Sequence, residues 1–273
     1  MFAGITVSPM TNDSLMIVCG GGASRILNES SLDIEIQTVF LKHDTPALDK
    51  DDDAFLLSDN ESFEETMNFV DGMLDGIRVA IIFSMLGGHT TKAVQSVMDC
   101  ARSHGSKIIA IMGLPMAFEH ERRKLGNDAI KVLAGGADIS FIVDMDTINV
   151  YDEDTSFLDL LKYNSYVLAY AVQMLTTYVR GPFFSTFSED AYTLAYSSDL
   201  SPKGSVTRAL KSLMYRTKSD KGTTVAMVGG SVNSDFTFNL TSELIATTGN
   251  LPDIVKRTNQ EDSVILFFFP VII

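Results

Sequence analysis

Two short runs of glycine stand where this sequence could bind phosphate. Gly20, Gly21 and Gly22 follow one apolar segment, and Gly87 and Gly88 follow another. Glycine lets the backbone approach a ligand closely, and a helix that begins directly after it points unpaired N–H groups at an anion. Each run could equally be a tight turn between a strand and a helix. The Gly-x-Gly-x-x-Gly pattern of dinucleotide-binding proteins is absent.

Short apolar segments alternate with helix-period segments through the first two-thirds of the chain. Segments rich in Ile and Val predict buried strands at 15–18, 34–40, 79–83, 107–112 and 139–143. Apolar residues recur every three or four positions, and glycine follows, in the helices predicted at 91–104 and 119–134. This alternation predicts an α/β fold with a Rossmann-like parallel sheet and helices on both faces. Both glycine runs then lie at the carboxyl edge of the sheet, where ligands bind in such folds.

A long helix and a smaller unit are predicted after that sheet. Residues 155–180 form a helical pattern that is apolar around more than one face, as in a helix buried on several sides. Beyond it, the patterns predict helices at 206–216 and 239–247 and strands at 223–228, 253–258 and 264–270. We therefore expect a nucleotide-binding domain at 1–154, a central helix at 155–182 and a smaller α/β domain at 183–273.

The overall composition is that of a globular protein, with 45% hydrophobic and 21% charged residues among 273. A formal net charge of −14 argues against partners such as nucleic acid or anionic lipid, whose phosphates repel an acidic surface. The chain lacks the basic and apolar start of a signal peptide, and its longest apolar runs are too short to span a bilayer. We expect a soluble, cytoplasmic protein with no direct membrane anchor.

The two cysteines, Cys19 and Cys100, each lie in an apolar context and far apart in the sequence. Two such residues make no disulfide framework, and no Cys-x-x-Cys or Cys/His cluster predicts zinc. We expect both thiols to be reduced and buried, and we predict no metal site. His43 and His104 show no pattern of partners, so we expect both at the surface.

The glycine runs and their surroundings resemble those of FtsZ, the bacterial and archaeal relative of tubulin. Residues 86–92, LGGHTTK, occupy the place of the FtsZ signature GGGTGTG. FtsZ next carries Pro-x-x-Phe-Glu and basic residues before a helix, and residues 113–123 here read GLPMAFEHERR. The motif MVGGS at 227–231 is similar to the strand and Gly-Gly turn of the second FtsZ domain. The resemblance extends over almost the whole chain.

This resemblance implies that GTP or GDP, accompanied by Mg²⁺, binds beneath the glycine loops. It assigns the nucleotide contacts to both glycine runs and to Thr90, Thr91, Glu119 and Arg123, the last two at the ribose and base. It also implies head-to-tail filaments, either as a homo-oligomer or in a hetero-assembly with an FtsZ. An exposed first helical turn is the other interpretation of Glu119 and Arg123.

The loop that the family uses for hydrolysis is altered here. FtsZ completes each active site with an Asn-x-Asp-x-x-Asp loop from the next molecule. In the corresponding residues, Ser185 and Phe187 replace the first two side chains and only Asp190 is kept. A phenylalanine can neither accept a proton nor hold the attacking water. The sequence therefore predicts Asp190 as the one catalytic candidate and GTP hydrolysis that is weak or absent.

Base recognition is altered as well. FtsZ reads guanine with an Asn-Asp pair on its central helix, where this chain has Ser165 and Tyr166, with Asn164 one position away. Tyrosine could stack on a base but cannot make the bidentate contact of a carboxylate. Lys92 replaces a glycine of the family signature and either binds phosphate, as a P-loop lysine does, or is a solvated helix-end lysine.

Most of the negative charge lies in one segment. Residues 44–75 carry eleven acidic side chains and one basic one, a net charge of −10 out of the chain's −14. Such a run is usually a solvated surface. In FtsZ, however, this stretch contains a loop that faces the terminal phosphate, and carboxylates there weaken nucleotide binding unless a metal bridges them.

Three functions remain open from the sequence. The first is an FtsZ-like cytoskeletal or cell-division protein that keeps the fold and nucleotide binding but hydrolyses GTP weakly or not at all. The second is an FtsZ-like interaction module that needs no nucleotide and regulates or co-assembles with a true FtsZ. The third is an unrelated metabolic enzyme with a doubly wound sheet, which only the fold class supports.

Overall fold

The computed structural model describes residues 13–42, 54–56, 60–88, 90–148, 156–179, 187, 191–197, 201–212, 223–229, 233–257, 265–271 and 273. Within these residues the strands are β1 (Ser14–Cys19), β2 (Gln37–Lys42), β3 (Ala54–Leu56), β4 (Val79–Met85), β5 (Lys107–Leu114), β6 (Ile139–Asp144), β7 (Ala191–Ser197), β8 (Val225–Gly229), β9 (Asp253–Arg257) and β10 (Ile265–Pro270). The helices are α1 (Gly21–Ser30), α2 (Asn60–Met73), α3 (Thr91–Ser103), α4 (His120–Ala134), α5 (Phe157–Val179), α6 (Pro202–Ser212) and α7 (Ser234–Thr248), and a 3₁₀ helix spans Met145–Ile148.

The described strands join one sheet in the order β3-β2-β1-β4-β5-β6-β7-β10-β8-β9. Every pair from β3 to β7 is parallel. Strand β10 runs antiparallel to both of its neighbours, β7 and β8, and β8 pairs parallel with β9. The predicted α/β fold with a mostly parallel sheet is confirmed, and all five strands predicted in its first part are present.

The central strands are buried on both faces, which explains why they are apolar without alternation. Met16 and Val18 of β1 pack toward α1 and α5 on one face of the sheet. Leu15 and Ile17 of the same strand pack toward α2, α3 and α4 on the other face. Successive side chains of a strand point to opposite faces, so one sheet packs against two layers of helices.

Helix α5 is the most apolar helix, and its middle is enclosed. Side chains from Val167 to Leu175 are buried, whereas Phe157 and Leu158 in the first turn are exposed. The amide of Gln173 donates a hydrogen bond of 2.7 Å to the carbonyl of Asp33, which ties α5 to the segment before β2. The burial predicted for this helix on several sides is confirmed. No helix in the described ranges combines the length and apolarity that a membrane crossing requires.

The carboxyl-terminal part of the chain extends the same sheet. Helices α6 and α7 cover one face of β8 and β10, where Ile265, Phe267 and Phe269 are buried with Leu240. The intervening Phe268 packs on the opposite face with α5. Because β6 pairs with β7, the sheet crosses the predicted domain boundaries, and the division at 154 and 182 stays a prediction.

Besides the short 3₁₀ helix at Met145–Ile148, one helix and two strands of the described residues were not predicted from the sequence. Helix α2 lies in the acidic segment, where its exposed acids surround a narrow apolar stripe that includes the buried Val70. Strand β3 has three residues, which is too short for a periodic pattern. Strand β7 begins directly after the segment that resembles the catalytic loop of FtsZ, and no element was predicted there.

An aromatic cluster links the central strand β6 to the carboxyl-terminal strands. The ring centroid of Phe141 lies 4.8 Å from that of Phe187, 5.8 Å from that of Tyr192 and 5.4 Å from that of Phe268. All four rings are buried. Offset and edge-on ring pairs at such distances add to the stabilisation from burial alone.

Phe141→Ala should therefore lower the free energy of unfolding by about 3–5 kcal/mol, since it leaves a cavity at the centre of this cluster. Urea denaturation followed by circular dichroism measures the change. Phe238→Ala is the matched control, because Phe238 is 72% exposed, and it should change stability by less than about 0.5 kcal/mol. Equal effects of the two substitutions would contradict the described core.

Candidate functional site

The order in which successive strands join the sheet changes direction at β1. Strand β1 pairs with β2 on one side and with β4 on the other, and the later strands continue beyond β4. Helix α1, which follows β1, packs on one face, while α3, which follows β4, packs on the opposite face. The carboxyl ends of β1 and β4 therefore border a crevice, and ligands of doubly wound folds bind at such a crevice.

The structure brings the two glycine runs together at this crevice. Gly20 is buried at φ +95°, a conformation that favours glycine, and its N–H donates to the carbonyl of Leu41 at 2.7 Å. A Cβ at this position would lie 2.7 Å from Cγ2 of Thr90, which follows the second run. A larger residue at position 20 would therefore force the side chain of Thr90 or the loop itself to move.

The second loop is fixed to the start of α4. Gly87 has φ +83°, and a Cβ there would collide with the carbonyl group of Arg122 and lie 3.0 Å from Cγ of Pro115. Gly88 is exposed, and a Cβ added to it would meet no atom within 4 Å. One glycine of this run thus serves packing, and the other leaves open space at the crevice.

Three helices begin at this edge of the sheet without a side-chain cap. Gly20, Thr90 and Glu119 are the N-cap residues of α1, α3 and α4, and none of them accepts the usual capping hydrogen bond through its side chain. The first N–H groups of a helix have no partner within the helix, so they can bind an anion. Thr90 is buried, Thr91 is half-buried and Lys92 is exposed.

Glu119 belongs to the turn that connects β5 to α4. Its Oε1 accepts a hydrogen bond of 3.2 Å from the N–H of Met116, and its Oε2 pairs with the exposed Arg122. The residue is half-buried beside Phe118, whose exposed ring meets that of Phe157 at 5.4 Å. The structure thus places Glu119 at the carboxyl edge of the sheet. Its contact with a ribose stays a prediction.

Arg123 lies in a buried ion pair. Its guanidinium is 12% exposed and meets the fully buried carboxylate of Asp144, with one contact of 2.7 Å between Nη1 and Oδ1 and a second between Nη2 and Oδ2. It also donates to the carbonyl of Pro115 and lies 3.6 Å from Oδ2 of Asp146. These contacts hold the starts of α4 and the 3₁₀ helix together. The predicted contact of Arg123 with ribose and base is not tested by them.

Two carboxylates at this edge of the sheet were not predicted from the sequence. Asp144 ends β6, and Asp146 follows it and accepts a hydrogen bond of 2.8 Å from the N–H of Ala117. Burial raises the pKa of Asp146, and the neighbouring Asp144 adds to the rise, while Ala117 and Arg123 oppose it. The available signal was a pair of acids directly after a predicted strand.

The residues that resemble the base-reading pair lie on α5. Tyr166 is 37% exposed, and its ring stacks on that of Tyr170 at 6.4 Å. Asn164 is buried and donates to the carbonyl of Met145 at 3.1 Å, and its Oδ1 has no hydrogen-bond partner among the described residues. Asn164 is thus enclosed by protein, whereas Tyr166 is accessible.

The segment that resembles the catalytic loop is described at one position only. Phe187 is 5% exposed and belongs to the aromatic cluster around Phe141. Ser185 and Asp190 lie outside the described residues, so the assignment of Asp190 stays a prediction.

No known protein family matches this sequence, and no curated protein is similar to it at a significant level. Solved structures do match. An FtsZ mutant from M. jannaschii superposes with a TM-score of 0.73 at 17% identity, covering 96% of this chain and 91% of that protein. This chain has the FtsZ/tubulin fold. The fold that the glycine runs and their neighbours predicted is confirmed, as is its extent over almost the whole chain.

Two further structures with the FtsZ/tubulin fold were solved as filaments. CetZ2 from Haloferax volcanii, a GTPγS-bound protofilament, matches with a TM-score of 0.67 at 14% identity over 95% of this chain and 93% of its own. TubZ from Bacillus thuringiensis serovar israelensis, solved as GDP-form protofilaments, matches with a TM-score of 0.66 at 11% identity over 94% and 86%.

Arg123→Met should lower the free energy of unfolding by about 3–5 kcal/mol, because it leaves the buried carboxylate of Asp144 unpaired. The double variant Arg123→Met/Asp144→Leu should recover most of that loss, since it removes the stranded charge. Arg122→Met is the matched control, because this arginine is exposed and its pair with Glu119 is worth about 1 kcal/mol or less. Urea denaturation of all three variants tests the pair, and equal losses for the two single substitutions would contradict it.

Proposed function

We propose that this chain binds a guanine nucleotide with Mg²⁺ in the crevice between β1 and β4 and assembles head to tail into filaments, while hydrolysing GTP weakly or not at all. The observation that carries the proposal is the contact between Gly20 and Thr90. It joins two glycine-rich loops at the starts of α1 and α3, so the N–H groups of two helices border one crevice. Such N–H groups and the positive ends of two helix dipoles favour phosphate.

The residues around the crevice fit a phosphate group. A Cβ added to Gly21 or Gly88 would meet no atom within 4 Å, so both backbones are approachable. The exposed Lys92 adds a positive charge one residue into α3. Mg²⁺ would be held largely by the phosphates and by water, as is usual for this ion, and we assign no protein ligand to it.

Base and ribose recognition are proposed from side chains on α5 and at the start of α4. The accessible ring of Tyr166 is suited to stacking on a base, which every base allows. No carboxylate replaces the one that reads guanine in FtsZ, so we expect weaker discrimination between guanine and adenine. We propose that Glu119 forms the wall beside the ribose and that Arg123, held by Asp144, keeps this wall in position.

Weak hydrolysis is proposed from the altered loop. The buried ring of Phe187 stands where the resemblance expects the middle carboxylate, and it packs in the aromatic cluster around Phe141. Asp190 remains the one acid proposed for catalysis. A single carboxylate without its companions positions the attacking water poorly.

Self-assembly is proposed from the shared fold. The CetZ2 and TubZ structures, which cover most of this chain, are described as protofilaments. A head-to-tail contact repeats in one direction and forms an open filament when it does not close into a ring.

The acidic segment favours a second candidate, an interaction module that needs no nucleotide. Its described part includes the exposed carboxylates Glu64 and Glu65 of α2. If the acids before them face the crevice, they repel a triphosphate. This candidate keeps self-assembly, or assembly with an FtsZ, and gives up the nucleotide.

Gly88→Asp should abolish the stabilisation that GTP gives to the wild-type protein. The exposed position accepts a side chain without collision, but the new carboxylate repels phosphate. For the wild type, a nucleotide at 100 times its Kd adds about 2.7 kcal/mol of stability. Thermal melts with GTP, GDP and Mg²⁺ measure the effect.

Gly72→Asp is the matched control, because this glycine of α2 is also exposed with open space and gains the same charge far from the crevice. It should respond to GTP as the wild type does. If no nucleotide stabilises the wild type, the module replaces the proposed function. A phosphate-release assay on the same samples tests hydrolysis, and turnover like that of an intact FtsZ, abolished by Asp190→Ala, would refute the weak-hydrolysis proposal.

A further inference from the structure

Three side chains that can bind a metal meet on the outer side of α2 and α3. Asp71 lies in the last turn of α2, Cys100 lies in α3, and His104 is the residue that ends α3. Oδ1 of Asp71 lies 2.8 Å from Nε2 of His104 and 3.5 Å from Sγ of Cys100. One ligand atom from each residue lies within 4.8 Å of the other two.

The spacing of Cys100 and His104 explains why they converge. Residues four apart on a helix share one face, and the N–H of His104 still donates to the carbonyl of Cys100 at 3.3 Å, so the helical turn continues to this point. His104 is exposed, as expected for a surface residue, and its side chain also contacts Asp71 at 2.8 Å. The spacing of four residues between Cys100 and His104 was the signal in the sequence. Asp71 could not be found from that spacing because it belongs to another helix.

Packing beneath the three side chains holds the two helices at a fixed separation. Val70 and Leu74 of α2 are buried in the same cluster as Val97 and Ala101 of α3. These residues flank Asp71 and Cys100 in the sequence and lie on the inner sides of their helices. A site built from two packed helices is more rigid than one built on loops.

The chemistry of the cysteine disfavours a nucleophilic role. Burial, followed by the hydrogen bond to Asp71, raises the pKa of Cys100 to about 11, so the group is a thiol at neutral pH. The pKa of Asp71 is lowered by its hydrogen bonds with His104 and Cys100, so that carboxylate is ionised. Cys100 and His104 both contact Oδ1 of Asp71, so one sulfur, one nitrogen and one oxygen that can each bind a metal lie side by side.

We propose that Asp71, Cys100 and His104 bind one Zn²⁺ ion that cross-links α2 to α3. Zinc accepts sulfur, nitrogen and oxygen ligands together, and a tetrahedral site with bonds of about 2.0–2.3 Å holds its ligand atoms roughly 3.3–3.8 Å apart. The separations of 2.8 and 3.5 Å here need only small side-chain rotations to reach that geometry. On binding, the thiol releases its proton to solvent and the sulfur bonds to the ion, and water completes the coordination.

The proposed zinc site is separate from the proposed nucleotide site. His104 ends α3, whereas Thr90 at the crevice begins it, and a helix of 13 residues is about 20 Å long. The ion would therefore stabilise the pair of helices without touching a nucleotide. Failure of either proposal leaves the other unaffected.

Titration of the reduced, metal-free full chain with Co²⁺ and with Zn²⁺ tests the site. We expect one equivalent of Co²⁺ to produce the near-ultraviolet absorption of a cobalt–thiolate bond, and one equivalent of Zn²⁺ to displace it. Cys100→Ser should remove the absorption and weaken Zn²⁺ binding by about 100-fold, and His104→Ala and Asp71→Asn should weaken it by at least about 10-fold. At equal concentration, Zn²⁺ should raise the melting temperature of the wild type more than that of any ligand variant.

Asp75→Asn and His120→Ala are the matched controls, because both residues are exposed and lie outside the cluster. They should bind Zn²⁺ as the wild type does. Absence of saturable binding by the wild type would overturn the proposal. Equal affinity in Cys100→Ser would also overturn it, because the ion would then sit elsewhere, for example on the acids of residues 44–53. If Cys100→Ser fails to fold by circular dichroism, His104→Ala provides the same comparison.

Discussion

The hydrogen bonds that join β1 to β2 on one side and to β4 on the other position both glycine loops. Since successive strands diverge from β1, α1 and α3 must cover opposite faces of the sheet, and their starts meet at one crevice. Gly20 approaches Thr90 so closely that a Cβ at position 20 would lie 2.7 Å from Cγ2 of Thr90. The proposed phosphate site is thus a consequence of strand order, and it needs few specific side chains.

Packing and buried charge occupy several positions that the resemblance to FtsZ assigned to chemistry. Phe187 joins Phe141, Tyr192 and Phe268 in a buried cluster that connects β6 to the carboxyl-terminal strands. The buried ring of Phe187 therefore contributes to the stability of this junction. The pair of Arg123 with Asp144 is a similar case, in which buried charges fix the wall of the crevice.

The sequence predicted the parts of the fold that depend on local patterns. Strand β4 was expected at 79–83 and spans Val79–Met85, because a buried parallel strand is continuously apolar. Helix α2 was missed, since its apolar stripe is narrow within a strongly acidic segment. Contacts between distant residues could not be predicted: Arg123 pairs with Asp144, and His104 with Asp71, only after the strands and helices between them have folded. The glycine loops were found because each follows its own strand directly.

The central claim is that the crevice between β1 and β4 holds a nucleotide. An electron-density or cryo-EM map of the protein with GTP and Mg²⁺ tests it most directly. We expect phosphate density against the N–H groups of Gly21, Gly22 and Gly88 at the starts of α1 and α3, in molecules stacked head to tail. An empty crevice at saturating GTP, or a nucleotide bound at any other place on the chain, would contradict it.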